Sequence, residues 1–163
     1  MRNSWIYRAS TGILVFTALS SPAWAAEDLH NVKLTPILTT DSADLKWGDI
    51  DVLPPGAKAA LLAKAGDWQV ARVKFPPHYV VPPHSHPNGE AIWVVGGKVG
   101  FGFGEKVDMS GPMLGPGAFF AQPAGTFHYL WTGNEGAVID VQVNEPQEIT
   151  FANRADDPRT KKK

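Results

Sequence analysis

The sequence predicts an all-β protein, a barrel or sandwich of short strands, and three features predict it. Glycine and proline are frequent, 16 and 14 among 163 residues, and they cluster between short apolar stretches, where turns belong. Several of those stretches alternate apolar and polar residues with period two, the pattern of a strand with one buried face. No segment carries the sustained 3.6-residue period of a long helix.

In chain order, residues 1–25 read as a secretory signal peptide. Arg2 and Arg8 precede an apolar run from Thr11 to Leu19, followed by Ser20-Ser21-Pro22-Ala23-Trp24-Ala25, the small-x-small pattern of a cleavage site. The run is shorter than the roughly 20 apolar residues of a spanning helix. Cleavage before Ala26 would leave 138 residues, one domain in length, with a domain and its N-terminal extension over 26–152 and a charged, loose tail over 153–163. Losing Arg2 and Arg8 leaves 13 basic against 16 acidic side chains, a net charge near −3. No basic field invites nucleic acid. The absence of cysteine excludes disulfides, thiolate ligands and cysteine nucleophiles.

Glu27 to Thr40 alternates in part through Val32, Leu34 and Ile37, as an edge strand does. After Pro54-Pro55-Gly56, Ala57 to Leu62 has helical propensity, yet six residues between Pro-Gly and the Ala65-Gly66-Asp67 turn are too few to hold a helix, and a strand is expected. Trp68 to Phe75 alternates as a strand, and Pro76-Pro77 ends it. Pro82 and Pro83 then stiffen the approach to His84. His78 belongs to that loop. Strands follow over Ala91 to Val95 and, beyond Gly96-Gly97, over Val99 to Phe103, where Gly100 and Gly102 let a neighbour approach closely. A loop spans Glu105 to Gly117. Phe119–Gln122 and Phe127–Trp131 are expected to form a hairpin, and Thr132 to Gly136 turns into a last strand over Ala137 to Val143.

The chemistry concentrates in Pro83-His84-Ser85-His86-Pro87-Asn88-Gly89-Glu90. In an extended strand His84 and His86 point to the same side, and two imidazoles on one face can share a metal. The Pro87-Asn88-Gly89 turn brings the Glu90 carboxylate back toward them. An H-x-H pair alone is a weak signal. Downstream, Gly117 to Gln122 reads as a strand, Pro123-Ala124-Gly125 as a turn, and His128 opens another strand.

Together the two stretches resemble the paired motifs of the cupin superfamily, G-x5-H-x-H-x3,4-E-x6-G and G-x5-P-x-G-x2-H-x3-N. His84, His86, Glu90 and Gly97 match the first motif; Gly117, Pro123, Gly125 and His128 match the second. His78 stands where the first opens with glycine and Thr132 where the second closes with asparagine, neither a ligand position. The resemblance spans Trp68 to Val143. It implies a double-stranded β-helix of the jelly-roll type and a metal held by His84, His86, Glu90 and His128, in a periplasmic bacterial protein.

Three neutral imidazoles and a carboxylate suit Fe, Mn, Ni, Cu or Zn as a divalent ion. Four protein ligands on an octahedral ion leave two positions open, as in a catalytic site. The expectation is therefore an oxygen-using, dioxygenase-like oxidoreductase acting on a small molecule, with Glu90 also serving as base. A non-catalytic binding or sensing module and a metal-dependent lyase or isomerase are the alternatives, because fold alone does not choose among them. With His128 facing the metal, Tyr129 and Trp131 face away, as Trp93 does from Glu90. These three rings are expected to form a homodimer surface. Phe101, Phe103, Phe119, Phe120 and Phe127 are assigned to packing before pocket lining.

Overall fold

The computed structural model describes residues 42–161; the expected signal peptide over 1–25 and edge strand over 27–40 lie outside them. Nine strands follow a short 3-10 turn at Ser42–Asp44: β1 (Gly48–Asp49), β2 (Lys58–Ala65), β3 (Trp68–Phe75), β4 (Val80–Ser85), β5 (Glu90–Phe103), β6 (Met113–Leu114), β7 (Phe119–Gln122), β8 (His128–Asn144) and β9 (Thr150–Phe151). All pairings are antiparallel. The path β1-β2-β3-β8-β4-β9 carries β5 against β8, and β6 and β7 against β5. The sheet curls into a jelly-roll barrel. The strand expected at Ala57 to Leu62 is present as β2, and β3 has the predicted bounds.

Two expected breaks are bends within long strands. β5 and β8 pair along most of their lengths, from Ala91↔Gln142 to Phe103↔His128, with irregularities at Val94/Gly96 and Gly97/Val99. Gly97 (φ 64°) and Gly136 (φ 69°) sit at the bend. A Cβ on Gly97 would strike the Gly136 carbonyl, and one on Gly136 would strike that of Phe75. Glycine thus lets the backbones close up and turn a corner without ending the ladder.

The expected hairpin of Phe119–Gln122 with Phe127–Trp131 does not form. A strand has two edges, and those of β8 are taken by β5 on one side and by β3 and β4 on the other. β7 pairs with β5 instead, which sets Glu90 opposite Gln122 and Trp93 opposite Phe119.

Aliphatic side chains including Val73, Val81, Ile92, Val94, Val99, Leu130, Ile139 and Val141 form the core with Phe75 and Tyr79. Phe101 and Phe120 pack against it, ring centroids 4.1 Å apart. Trp93 is outward and 44% exposed, but Tyr129 and Trp131 are 3% and 6% exposed, which corrects their assignment to an outer surface. They face away from His128 yet lie opposite Gly102 and Gly100, and each ring fills the space a Cβ there would occupy. The loop after β5 covers them, with the Asp108 amide donating to the Tyr129 hydroxyl at 3.0 Å.

Both departures from the motifs have structural explanations. His78 has φ 55°, the left-handed region that glycine enters without strain. Thr132 Oγ1 accepts from the Tyr79 amide at 2.9 Å and donates to the Pro76 carbonyl at 2.7 Å, tying the loop before β4 to β8. Over its described part the tail, expected to be loose, forms short turns whose side chains are exposed or half-buried. Two 3-10 turns, Arg154–Asp156 and Pro158–Lys161, are anchored by Arg159, which donates to the Ile149 carbonyl at 3.0 Å.

Candidate metal centre

The strands bring the four sequence-predicted residues together and leave His78 exposed in its loop, outside the cluster. β4 supplies His84 and leads directly to His86; β5 opens with Glu90; β8 opens with His128. Prolines at 82 and 83 keep β4 extended into the site. One ligand atom from each of His84, His86 and His128 lies within 4.8 Å of the others.

Each ring is held by its other nitrogen. Nδ1 of His84 donates to the Pro82 carbonyl at 2.7 Å, that of His86 to Glu148 at 2.7 Å and that of His128 to Thr126 at 3.0 Å. With the proton on Nδ1, each Nε2 keeps its lone pair, the tautomer and fixed orientation a metal-binding imidazole needs. Burial keeps the rings neutral. It pushes His84 down to about 3, helped by neighbouring His128, and His128 down to about 4, and it lowers His86 as well.

Glu90 lies beside them, with Oε1 3.2 Å from His86 Nε2 and Oε2 3.7 Å from His128 Nε2. Atoms that share one transition ion stand about 3–3.4 Å apart, given metal–nitrogen bonds near 2.1 Å. Burial lifts the Glu90 carboxyl to about 7, against a hydrogen bond from Gln147 that pulls it down. A buried carboxyl beside three imidazole lone pairs gains a counter-charge when a cation enters. The histidine triad can hold a divalent ion, and this donor set, free of sulfur, fits one from the first transition row.

Gln122, 4% exposed, has its side chain among these groups. Its Nε2 is 2.6 Å from both Glu90 Oε2 and His128 Nε2, while Oε1 is buried without a partner. Sequence reasoning missed it because pairing β7 with β8 takes Gln122 away from Glu90. Its place before Pro123, on the same strand face as Phe120, was the available signal.

His84, His86, Glu90 and His128 stand on the wall of a cavity of about 180 Å³. Ile50, Leu53, Val73, Val81, Ile139 and Val141 are among its other lining residues, and Gln147 also contributes. None of the five phenylalanines weighed for pocket lining is among them; Phe75 is.

No family model and no curated protein sequence matches the chain. Solved structures do. An RmlC-like cupin from Shewanella frigidimarina aligns over 67% of this chain and 91% of its own, with 17% identity and a TM-score of 0.56. The protein has the cupin fold. KdgF from Halomonas sp. aligns over 63% of this chain and 88% of its own, with 27% identity and a TM-score of 0.51. The polyketide cyclase RemF from Streptomyces resistomycificus aligns over 73% and 87%, with 19% identity and a TM-score of 0.61. Within this fold the four residues at the ligand positions of the motifs, His84, His86, Glu90 and His128, meet at the cavity wall.

Proposed function

We propose that this cupin is a metal-dependent enzyme acting on a small, largely apolar molecule, with an oxygen-using, dioxygenase-like reaction as the leading chemistry. One observation carries the reading: three imidazole lone pairs and a carboxylate converge on the wall of an aliphatic cavity. A closed structural site needs no such cavity.

His84, His86 and His128 would hold the ion through Nε2 and Glu90 through its carboxylate. When bound, a transition ion supplies Lewis acidity and, if redox-active, electron transfer to dioxygen. The aliphatic walls exclude water from the reacting molecule and strengthen each polar contact inside. Glu90, on the cavity wall, presents a carboxylate oxygen that can take a proton from substrate and return it. That property also favours a second reading, a lyase, isomerase or cyclase without oxygen chemistry, and the likeness to a polyketide cyclase points the same way. The working location is the periplasm after removal of residues 1–25, a proposal that intact mass of the exported protein tests.

Nitric oxide tests the open position. Fe(II)-loaded protein handled without oxygen should bind it and give the spin signal of an iron-nitrosyl. An ion that is held but refuses every added ligand would sink the catalytic reading. Oxygen uptake during turnover separates the leading chemistry from the second.

A further inference from the structure

The metal reading gives Gln122 no part, although its amide lies on two of the four groups that would hold the ion. His128 Nδ1 donates to the Thr126 carbonyl, so the lone pair on Nε2 is the acceptor for the Gln122 N–H at 2.6 Å. The second N–H goes to Glu90 Oε2, also at 2.6 Å. Both amide protons are spent on the site, while Oε1 is left buried and unpaired.

Three features build this approach into the backbone. Glu90 and Gln122 are register partners. Pro123 biases Gln122 to extended geometry. Gly89 leaves room for the end of β7, since a Cβ there would stand 2.9 Å from the Gln122 carbonyl oxygen.

We propose that Gln122 competes with the metal, its amide holding His128 and Glu90 in the metal-free chain and giving up His128 when a cation binds. This rests on the four-residue shell proposed above. The imidazole nitrogen has one lone pair, so a bond to an ion displaces the hydrogen bond. A carboxylate oxygen has lone pairs for both, and the bond to Glu90 persists. Gln122 therefore weakens metal binding by the worth of one hydrogen bond, about three- to tenfold. Ions with little affinity for imidazole, such as Mg²⁺ and Ca²⁺, are the least able to displace it.

The test is a zinc titration of metal-stripped wild type and Gln122→Leu, with thermal midpoints of both forms. The variant should bind zinc about three- to tenfold more tightly, and its midpoint should fall more without metal than with it. Weaker binding would make Gln122 a ligand or a support of the shell and overturn the proposal. Unchanged affinity with equal falls in both midpoints would reduce it to packing and overturn the proposal too. Should Gln122→Leu fail to fold, the wild type labelled with ¹⁵N in its glutamine side chains gives the answer. Zinc should move one Gln122 amide proton upfield as its bond to His128 breaks, and two unmoved protons would contradict the proposal. Absence of zinc binding in the wild type would overturn the shell itself and this proposal with it; tight wild-type binding without a gain in Gln122→Leu overturns this proposal alone.

Discussion

His84 and His128 are register partners across β4 and β8, their ring centroids 4.2 Å apart, and each ring is anchored by Nδ1 to the carbonyl two residues before it. The same local geometry thus recurs at the end of one motif strand and the start of the other. Two neutral nitrogens are presented to one point.

Keeping those rings neutral makes the metal-free protein sensitive to acid. The unfolded chain takes up protons on histidine below about pH 6.5, while His84 and His128 decline them in the fold down to about 3 and 4. Stability is therefore lost as pH falls below 6.5. Glu90 acts in the opposite sense between its unfolded value of 4.5 and about 7, where the fold retains a proton that the unfolded chain has released. Two histidines, joined by His86, outweigh one carboxyl. Thermal melts of chelator-treated protein should show stability falling by ~1–3 kcal/mol per pH unit from pH 6.5 to 5. Stability that rises on acidification would contradict the burial of these rings.

His78 offers a test of backbone strain. A side chain in the left-handed region costs about 1–2 kcal/mol that glycine avoids, offset in part by the greater freedom of glycine in the unfolded chain. Urea unfolding of His78→Gly should show a gain of about 0.5–1 kcal/mol. A loss above 1 kcal/mol would mean that the imidazole makes a contribution its exposed position conceals.

Gly100→Ala should cost about 2–3 kcal/mol, because the added methyl meets the Trp131 ring at a site where β5 and β8 hold both backbones in place. Urea unfolding checks it. A neutral result would show that the ring does not need the glycine face.

The proposal of a homodimer now rests on a smaller surface. Trp93, Val95 and Phe119 are 44%, 40% and 55% exposed, and the Trp93 and Phe119 rings lie 5.1 Å apart on the outer face of β5 and β7. Light scattering should give a dimer at micromolar concentration and a monomer for Trp93→Glu combined with Phe119→Glu. A monomeric wild type would remove the idea.

Local pattern was enough for the strands that alternate cleanly, whereas the full ligand set came from the resemblance to the two cupin motifs. Trp68 to Phe75 carries its own period, and His84 and His86 share a face by parity alone. What required the partner strand was not legible. Tyr129 and Trp131 sit on the outward parity of β8, and only the register with Gly102 and Gly100 shows that their rings are covered. Gln122 entered the site for the same reason, through the pairing of β7 with β5. Long strands bent at Gly97 and Gly136 also look, in one dimension, like strands that end.

The proposed shell is tested most directly by counting metal. Wild-type protein, stripped and reloaded with zinc or iron, should hold one ion per chain, and His84→Ala combined with His128→Ala should hold none, since only His86 and Glu90 of the shell remain and His78, the other described histidine, lies outside the cluster. Glu90→Gln should still bind, more weakly, because it keeps an oxygen donor but loses the charge. Full occupancy in the double variant would contradict the account.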